Sequence, residues 1–250
     1  MFWKLPSGHE QISKPSVIIL GIAVWLIYVL DRLLDNQKSS LIFTERHLFH
    51  QSNQRILWFF VMICTCICAE LLFFISFGII KFGIIIVSIT ASYLLVVSQT
   101  SSESSSQHYK ESLVAFVYTA AVWGTASLDH FDFATIILGL IFMLIAFQNL
   151  LLFSFFELEN FPETNNLAKF LGKKSSKYII FGIFLIIIIL GSFSFVILNN
   201  SYQYSVLFVE ILMSFSLILI IYFQDSTLPY DRFRWLGDGV FLLPLLIIFV

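Results

Sequence analysis

Charged residues are scarce in this sequence. Asp, Glu, Lys and Arg make up 12% of its 250 residues, whereas soluble domains carry about 25%. Hydrophobic residues make up 58% and the mean hydropathy is +0.90. The composition therefore excludes an ordinary water-soluble protein, and no polar block is long enough to fold as a separate soluble module. The formal net charge of -2 is uninformative, because in a membrane protein the placement of charge matters more than its sum, and nucleic-acid binding has no support.

Cysteine is also scarce, and its placement makes a disulfide framework implausible. The three cysteines, Cys64, Cys66 and Cys68, all lie in one apolar segment. On a helix this alternate spacing places Cys66 away from the other two, which favours packing residues over a metal site. The first apolar run ends in Asp31-Arg32 without a small-residue cleavage site, so we expect it to be an uncleaved membrane span.

Long apolar runs make up most of the chain. A helix needs about 20 apolar residues to cross hydrocarbon about 30 Å thick, and its backbone polar groups must be paired within the segment. The pattern predicts an all-α membrane protein with a single transmembrane domain over residues 1–250. About eight transmembrane helices are expected, at residues 16–34, 56–77, 79–97, 113–128, 133–156, 178–198, 204–223 and 236–250.

Basic residues are distributed unevenly between the two sides of such a bundle. Of the 14 Lys and Arg residues, only Lys4, Lys14 and Lys81 fall before the first span or after an even-numbered one. The segments after odd-numbered spans hold the others, and by the positive-inside tendency these segments are cytoplasmic. The sequence therefore predicts a multi-pass protein of the cell membrane with both termini outside the cytoplasm.

Acidic residues cluster at the cytoplasmic ends of spans 1 and 5. Asp31 and Asp35 lie one helical turn apart on one face of span 1, and Glu157, Glu159 and Glu163 follow span 5. The recurrence after four helices predicts two four-helix halves around a cavity open to the cytoplasm. Carboxylates in this arrangement suit Mg²⁺, which commonly bridges them to substrate phosphates. Such a site would neutralise a diphosphate leaving group.

A second interpretation of these acids needs no metal. They are then the solvated ends of membrane helices, balanced by Arg32 and by the lysines of the 169–177 segment. For Asp31 and Asp35 alone the two interpretations are equally supported, and the recurrence at span 5 favours a site.

The segment Asp31-Arg32-x-x-Asp35 resembles the first aspartate-rich motif of the UbiA superfamily of intramembrane prenyltransferases, Asn-x-x-x-Asp-Arg-x-x-Asp. The family's second acidic motif lies four helices further along, where the three glutamates after span 5 stand. Ile27 replaces the Asn of the first motif, and the chain would match the family's spans two to nine. The resemblance implies a Mg²⁺-dependent enzyme that acts on an isoprenyl diphosphate and a lipophilic acceptor, with Asp31 and Asp35 as catalytic and metal-binding residues and the three glutamates as further metal ligands.

Several polar residues are candidates for binding the substrate. The basic candidates are cytoplasmic, and each is also explained by contact with lipid headgroups. Lys110 resembles the basic residue that the family places after the third span of this numbering, and Asn149 shares a helix face with Phe153 and Glu157. The predicted substrate-binding residues are Arg32, Arg46, Lys110, Asn149 and Arg234.

Two further features remain open. Glu70 and Glu210 lie inside predicted spans, where interhelical pairing explains them as well as a functional role does, and no catalytic role is assigned to either. A non-catalytic or transport protein on the same scaffold, binding a lipid or an isoprenoid, is the alternative to the enzyme. The replacement by Ile27 favours this alternative, whereas clustering of the acids at one membrane face is unlike the midplane sites of coupled transporters.

Overall fold

The structure is a computed structural model and describes residues 13–38, 51–99, 110–128, 132–162, 165–228 and 231–249. Within these ranges every regular element is helical. The prediction of an all-α protein is therefore confirmed for the described part of the chain.

The helices follow the apolar runs of the sequence. The α-helices of the described residues are α1 (Lys14–Lys38), α2 (Gln54–Leu71), α3 (Phe77–Gln99), α4 (Lys110–Thr119), α5 (Thr125–Ser127), α6 (Phe133–Asn160), α7 (Leu167–Leu171), α8 (Lys173–Ser194), α9 (Ser201–Tyr222), α10 (Gln224–Thr227) and α11 (Arg232–Val240). A π-helical turn, Ala120–Gly124, joins α4 to α5, and two 3₁₀ segments, Leu72–Phe74 and Leu243–Phe249, follow α2 and α11.

Four described helices are long and apolar enough to cross a membrane. They are α2 with its following 3₁₀ turn (Gln54–Phe74), α6, α8 and α9. Two further apolar stretches, Lys14–Leu30 and Phe77–Tyr93, lie within the helices α1 and α3, which continue beyond them to Lys38 and Gln99. Membrane-spanning character is therefore supported by length and composition, and the full set of eight spans stays a prediction.

The described residues fall into two compact units, one within Ile12–Thr100 and the other within Ser101–Val250. In the first unit α1 packs against α2 through a small cluster formed by Val29, Leu33 and Val61. Only 6% of the most apolar stretch of α2 is buried in the protein. Its remaining apolar surface is suited to contact with lipid, which is as apolar as these side chains.

The second unit is organised around α6. This helix packs against α4, α8 and α9, and 61% of its most apolar stretch is buried. Leu138, Ile141 and Ile145 have no exposed surface. Because α6 is apolar on all sides, it is suited to the interior of a helix bundle.

Both ends of α6 have identifiable local causes. At its start the Asp132 carboxylate accepts a hydrogen bond from the Thr135 backbone N–H at 2.7 Å, an N-cap. At its end the Phe161 N–H still donates to the Glu157 carbonyl at 2.7 Å. Pro162 follows directly, and the residue before a proline is disfavoured in helical conformation. The helix therefore carries Glu157 and Glu159 in its last turn and stops before Glu163.

The connection from α6 to α8 contains the short helix α7. The Asn166 side chain caps α7 by accepting a hydrogen bond from the Lys169 N–H at 3.0 Å. Gly172, with φ +85°, then turns the chain into α8 in a backbone conformation that side chains with a Cβ rarely adopt. The turn places Lys173 at the start of α8, close to the end of α6.

The last predicted span, residues 236–250, differs from the structure. Instead of one long helix the chain forms α11, which already begins at Arg232, and the 3₁₀ segment Leu243–Phe249. Gly237 and Gly239 lower the helix propensity of this stretch. Pro244 cannot donate a backbone hydrogen bond. These residues divide the apolar run into two short elements.

Candidate functional site

α11 lies antiparallel along the second half of α6. Near the start of α11 the Phe233 ring stacks on Phe156 of α6, with 4.7 Å between the ring centroids. Just beyond its end Phe241 packs edge-on against Phe142, at 6.0 Å. A later residue of one helix therefore meets an earlier residue of the other. Where the two helices meet, five residues form what we call the α6–α11 site: Asn149, Phe153, Glu157, Arg234 and Gly237.

Arg234 is the charged centre of the α6–α11 site. Its guanidinium group forms an ion pair with the Glu157 carboxylate, and the two side chains are 13% and 30% exposed. The guanidinium carbon also lies 5.5 Å from the centroid of the Phe153 ring and 5.3 Å from that of Phe233. These distances are within the range of cation–π attraction. Arg234 is thus a largely buried cation held by one carboxylate and two aromatic rings.

Asn149 supplies an acceptor deeper in the same site. Its side chain is 4% exposed, and its Oδ1 atom has no hydrogen-bond partner among the described residues. A Cβ atom at position 237 would come within 2.6 Å of this oxygen and of a Phe153 ring carbon. Only glycine fits between α11 and these side chains without displacing them.

Glu159 points to a different cation from Glu157. Its Oε1 atom is 2.9 Å from the Lys173 ammonium nitrogen, and this pair is more exposed, at 24% and 51% respectively. The second oxygen of Glu159 is buried, with no hydrogen-bond partner in the described part of the chain. The two predicted metal ligands of α6 are therefore each paired with a basic side chain, one from α11 and one from α8.

A buried carboxylate that the sequence analysis did not select lies nearby. Glu111 of α4 is 9% exposed. Its Oε1 atom accepts hydrogen bonds from the Ser154 hydroxyl at 2.6 Å and from the Leu167 backbone N–H at 3.1 Å. The Asn166 amide donates to the Ser154 carbonyl at 3.0 Å. This network fixes the connection after α6 against α4, and the signal that could have found it is an acid at the start of an apolar helix.

Aromatic side chains line the deeper part of the α6 face that α11 covers. The Tyr118 ring stacks on Phe142 with centroids 5.8 Å apart, and Trp123 packs against the same ring at 6.4 Å. Phe142, Asn149, Phe153 and Glu157 follow one another at spacings of seven, four and four residues, so they share one helix face. This face is aromatic in the bundle interior and ionic at the end of α6.

The structure brings together three of the residues predicted from the sequence, namely Asn149, Glu157 and Arg234. Among the residues it describes, no three His, Cys, Asp or Glu side chains are grouped closely enough to hold a metal ion. Glu159 is described too, but it pairs with Lys173 and not with these three. The remaining predicted residues lie outside the described ranges, or lie in a described helix with side chains that are not described. Arg46 and Glu163 lie outside the described ranges. The residues in a described helix whose side chains are not described are Asp31, Arg32 and Asp35 of α1 and Lys110, the first residue of α4.

Comparisons of the chain with protein-family models, with curated proteins and with solved structures gave no match. The chemistry of the α6–α11 site can be stated from its groups. A guanidinium binds carboxylate or phosphate oxygens through paired hydrogen bonds. An amide oxygen without a partner among the described residues can accept a hydrogen bond. The aromatic face beyond it is packed against Tyr118, Trp123 and Phe241.

Proposed function

We propose that this chain is a UbiA-like intramembrane prenyltransferase, which transfers an isoprenyl group from its diphosphate to an aromatic or quinone-precursor acceptor. In this proposal the eight predicted spans form two four-helix halves around a cavity open to the cytoplasm, and both termini lie outside the cytoplasm. The observation that supports it is the α6–α11 site. There a largely buried arginine pairs with a carboxylate at the end of a long apolar helix, and an amide oxygen lies eight residues deeper in the same helix.

Each group of the site has a role in this proposal. Arg234 binds the diphosphate, and Phe153 and Phe233 hold its guanidinium in place. Asn149 accepts a hydrogen bond from the acceptor substrate. When the bond between the allylic carbon and the diphosphate oxygen breaks, the Tyr118 and Phe142 rings stabilise the positive charge that remains on the isoprenyl group. The apolar helices exclude water, which would otherwise capture that cation.

The resemblance implies Mg²⁺, with Asp31, Asp35, Glu157, Glu159 and Glu163 as ligands. Glu157 and Glu159 offer the oxygen donors that this ion prefers, and one Glu159 oxygen is buried without a partner in the described residues. The described ligands therefore fit the ion in donor type. When bound, Mg²⁺ would neutralise the diphosphate as a leaving group.

A second candidate function is supported by the ion pairs. Glu157 and Glu159 are already neutralised by Arg234 and Lys173, so the end of α6 is electrostatically balanced without a metal. This favours a non-catalytic or transport protein on the same scaffold, with the aromatic face binding a lipid or an isoprenoid. A diphosphate would then not be required for binding.

Ligand-induced stabilisation distinguishes the two functions. We would purify the protein in detergent and measure its apparent Tm with farnesyl diphosphate, first with Mg²⁺ and then with EDTA. A ligand that binds only the folded state at 100 times its Kd stabilises it by about 2.7 kcal/mol. The test variant is the double substitution Asp31→Asn, Asp35→Asn. Its control is Asp225→Asn, which removes an exposed carboxylate in the first turn of α10.

For the enzyme we expect stabilisation that requires Mg²⁺, disappears in the double variant and persists in Asp225→Asn. Release of diphosphate in the presence of an acceptor should follow the same pattern. Stabilisation by farnesol as large as that by farnesyl diphosphate, independent of Mg²⁺, would support the lipid-binding alternative. No shift with saturating farnesyl diphosphate would contradict the diphosphate site.

A further inference from the structure

A carboxyl group that the proposed reaction does not use lies inside the second unit. Glu210, on α9, has no exposed surface. Neither of its carboxylate oxygens has a hydrogen-bond partner among the described residues. An ionised carboxylate in this position loses its hydration and gains no described donor or cation in return, which is a large energetic cost. The uncharged acid does not carry this cost.

α6 brings no charged group to the level of Glu210. The Ser214 hydroxyl, one turn beyond Glu210 on α9, donates to the Gln148 side-chain oxygen of α6 at 2.6 Å. Gln148 therefore marks the level at which the two helices meet. α6 has no charged residue between Asp132 and Glu157, so its acids lie at its ends, away from this level.

α8 is likewise uncharged beside Glu210. A Cβ atom at Gly191 would lie 3.3 Å from the Leu207 and Ile211 side chains, so this part of α8 faces Glu210's turn of α9. The nearest basic residue of α8 is Lys177, 14 residues before Gly191, which is about 21 Å along a helix.

Three further elements pack on α9, namely α10, α11 and the C-terminal 3₁₀ segment. Leu243–Phe249 contains no ionisable residue, and α10 contributes only Asp225, beyond the far end of α9. The ionisable residues of α11 are Arg232, Arg234 and Asp238, and those of α9 besides Glu210 are Tyr202, Tyr204 and Tyr222. None of them is a hydrogen-bond partner of Glu210 in the structure as described.

The polar groups beside Glu210 behave differently from it. Gln148 and Ser214 have no exposed surface, and both are hydrogen-bonded: Gln148 accepts from Ser214 and donates to the Ile180 carbonyl at 3.2 Å. These contacts join α6, α8 and α9, as interhelical hydrogen bonds in membranes commonly do. Glu210 lies on the same face of α9, four residues before Ser214, and takes no part in this network. Interhelical hydrogen bonding therefore accounts for Gln148 and Ser214 but not for Glu210.

We propose that Glu210 is a proton-binding site, held as an uncharged carboxylic acid inside the α6–α8–α9 bundle. Its ligand is a proton. Loss of that proton would place an unpaired negative charge among three apolar helices and force the bundle to rearrange, so the site couples proton release to conformation. This inference is independent of the proposed prenyl transfer.

Infrared spectroscopy of the purified protein tests the site directly. A protonated carboxyl group has a C=O stretching band at higher wavenumber than ionised carboxylate and backbone amide. At alkaline pH the water-exposed carboxyl groups are ionised, so a band that remains there reports a buried acid. We expect the wild-type protein to keep this band and Glu210→Gln to lose it. The control is Asp225→Asn, which changes an exposed carboxyl group in the first turn of α10, outside the membrane helices, and should leave the band intact.

No band in the wild-type protein at alkaline pH would overturn the proposal, and so would a band that survives in Glu210→Gln. If Glu210→Gln does not fold, wild-type protein made with isotope-labelled glutamate replaces it. The band must then shift with the label, which excludes aspartate. It must also persist in Glu70→Gln, which changes the carboxyl group within the apolar helix α2, and in Glu111→Gln, which changes the other buried glutamate of the described residues. A band that fails to shift, or that either variant abolishes, contradicts the assignment to Glu210.

Discussion

Gly237 controls how closely α11 can approach α6, and replacing it with alanine tests the α6–α11 site. The new Cβ atom would lie 2.6 Å from Asn149 Oδ1 and 2.6 and 2.9 Å from two ring carbons of Phe153. Real Cβ contacts are essentially never so short, so at least one partner must move. Asn149 is almost fully buried, and the Phe153 ring contacts Phe233. Neither can move without disturbing its neighbours.

Gly239→Ala supplies the matched control for this substitution. Gly239 lies in the same helix, and a Cβ atom there meets nothing within 4 Å. Both substitutions gain up to about 1 kcal/mol of helix propensity, so this gain largely cancels between them. The difference that remains is the cost of overpacking, typically about 1–3 kcal/mol. For a chain of this size it corresponds to a difference in apparent Tm of roughly 2–12 °C.

The assay is thermal unfolding of both variants and the wild-type protein in one detergent. We expect Gly239→Ala to match or exceed the wild-type Tm and Gly237→Ala to fall clearly below Gly239→Ala. Binding of farnesyl diphosphate should weaken only in Gly237→Ala, because the displaced helix carries Arg234. Equal Tm values for the two alanine variants would refute the close packing of α11 on α6.

Two further predictions concern the charged contacts around α6. A double-mutant cycle with Glu157→Gln and Arg234→Gln should give a coupling energy of about 1–3 kcal/mol. The more exposed pair of Glu159 and Lys173 should give a coupling energy of less than about 1 kcal/mol, and high salt should abolish it. Equal coupling energies for the two pairs would contradict the difference in burial. Glu111→Ala should lower the stability by about 1–3 kcal/mol more than Glu111→Gln, because only glutamine keeps an acceptor for Ser154 and the Leu167 N–H. Faster hydrogen exchange at Leu167 in the alanine variant alone is the local readout, and unchanged exchange there would argue against the network.

The membrane helices were predictable because one constraint dominates them. Backbone groups in hydrocarbon must be paired within the helix, so a long apolar run has few alternatives to a continuous helix. The span predicted at residues 133–156 is helix Phe133–Asn160, and that at residues 204–223 is helix Ser201–Tyr222. At residues 236–250 the apolar run does not form one continuous helix. There the run contains Gly237, Gly239 and Pro244, and local backbone chemistry outweighs apolar composition.

The contacts of the site were less predictable because they depend on distant parts of the chain. Helix periodicity placed Asn149, Phe153 and Glu157 on one face, and in the structure they lie on one face of α6. It could not indicate that the partner of Glu157 is Arg234, 77 residues away, or that Glu111 binds Ser154, 43 residues away. A single sequence gives the face on which a side chain lies, whereas its partner depends on how the helices pack.

The two candidate functions predict different behaviour of the ion pair between Arg234 and Glu157 when a ligand binds. In the proposed enzyme Arg234 would bind the diphosphate and Glu157 would be a ligand of Mg²⁺, so the pair present in the free protein would have to open as the substrate binds. Arg234→Gln should then weaken binding of farnesyl diphosphate more than binding of farnesol, because only the diphosphate needs the guanidinium. In a lipid-binding protein the pair stays closed and serves to hold α11 on α6. The same variant should then weaken both ligands equally, through loss of the helix position.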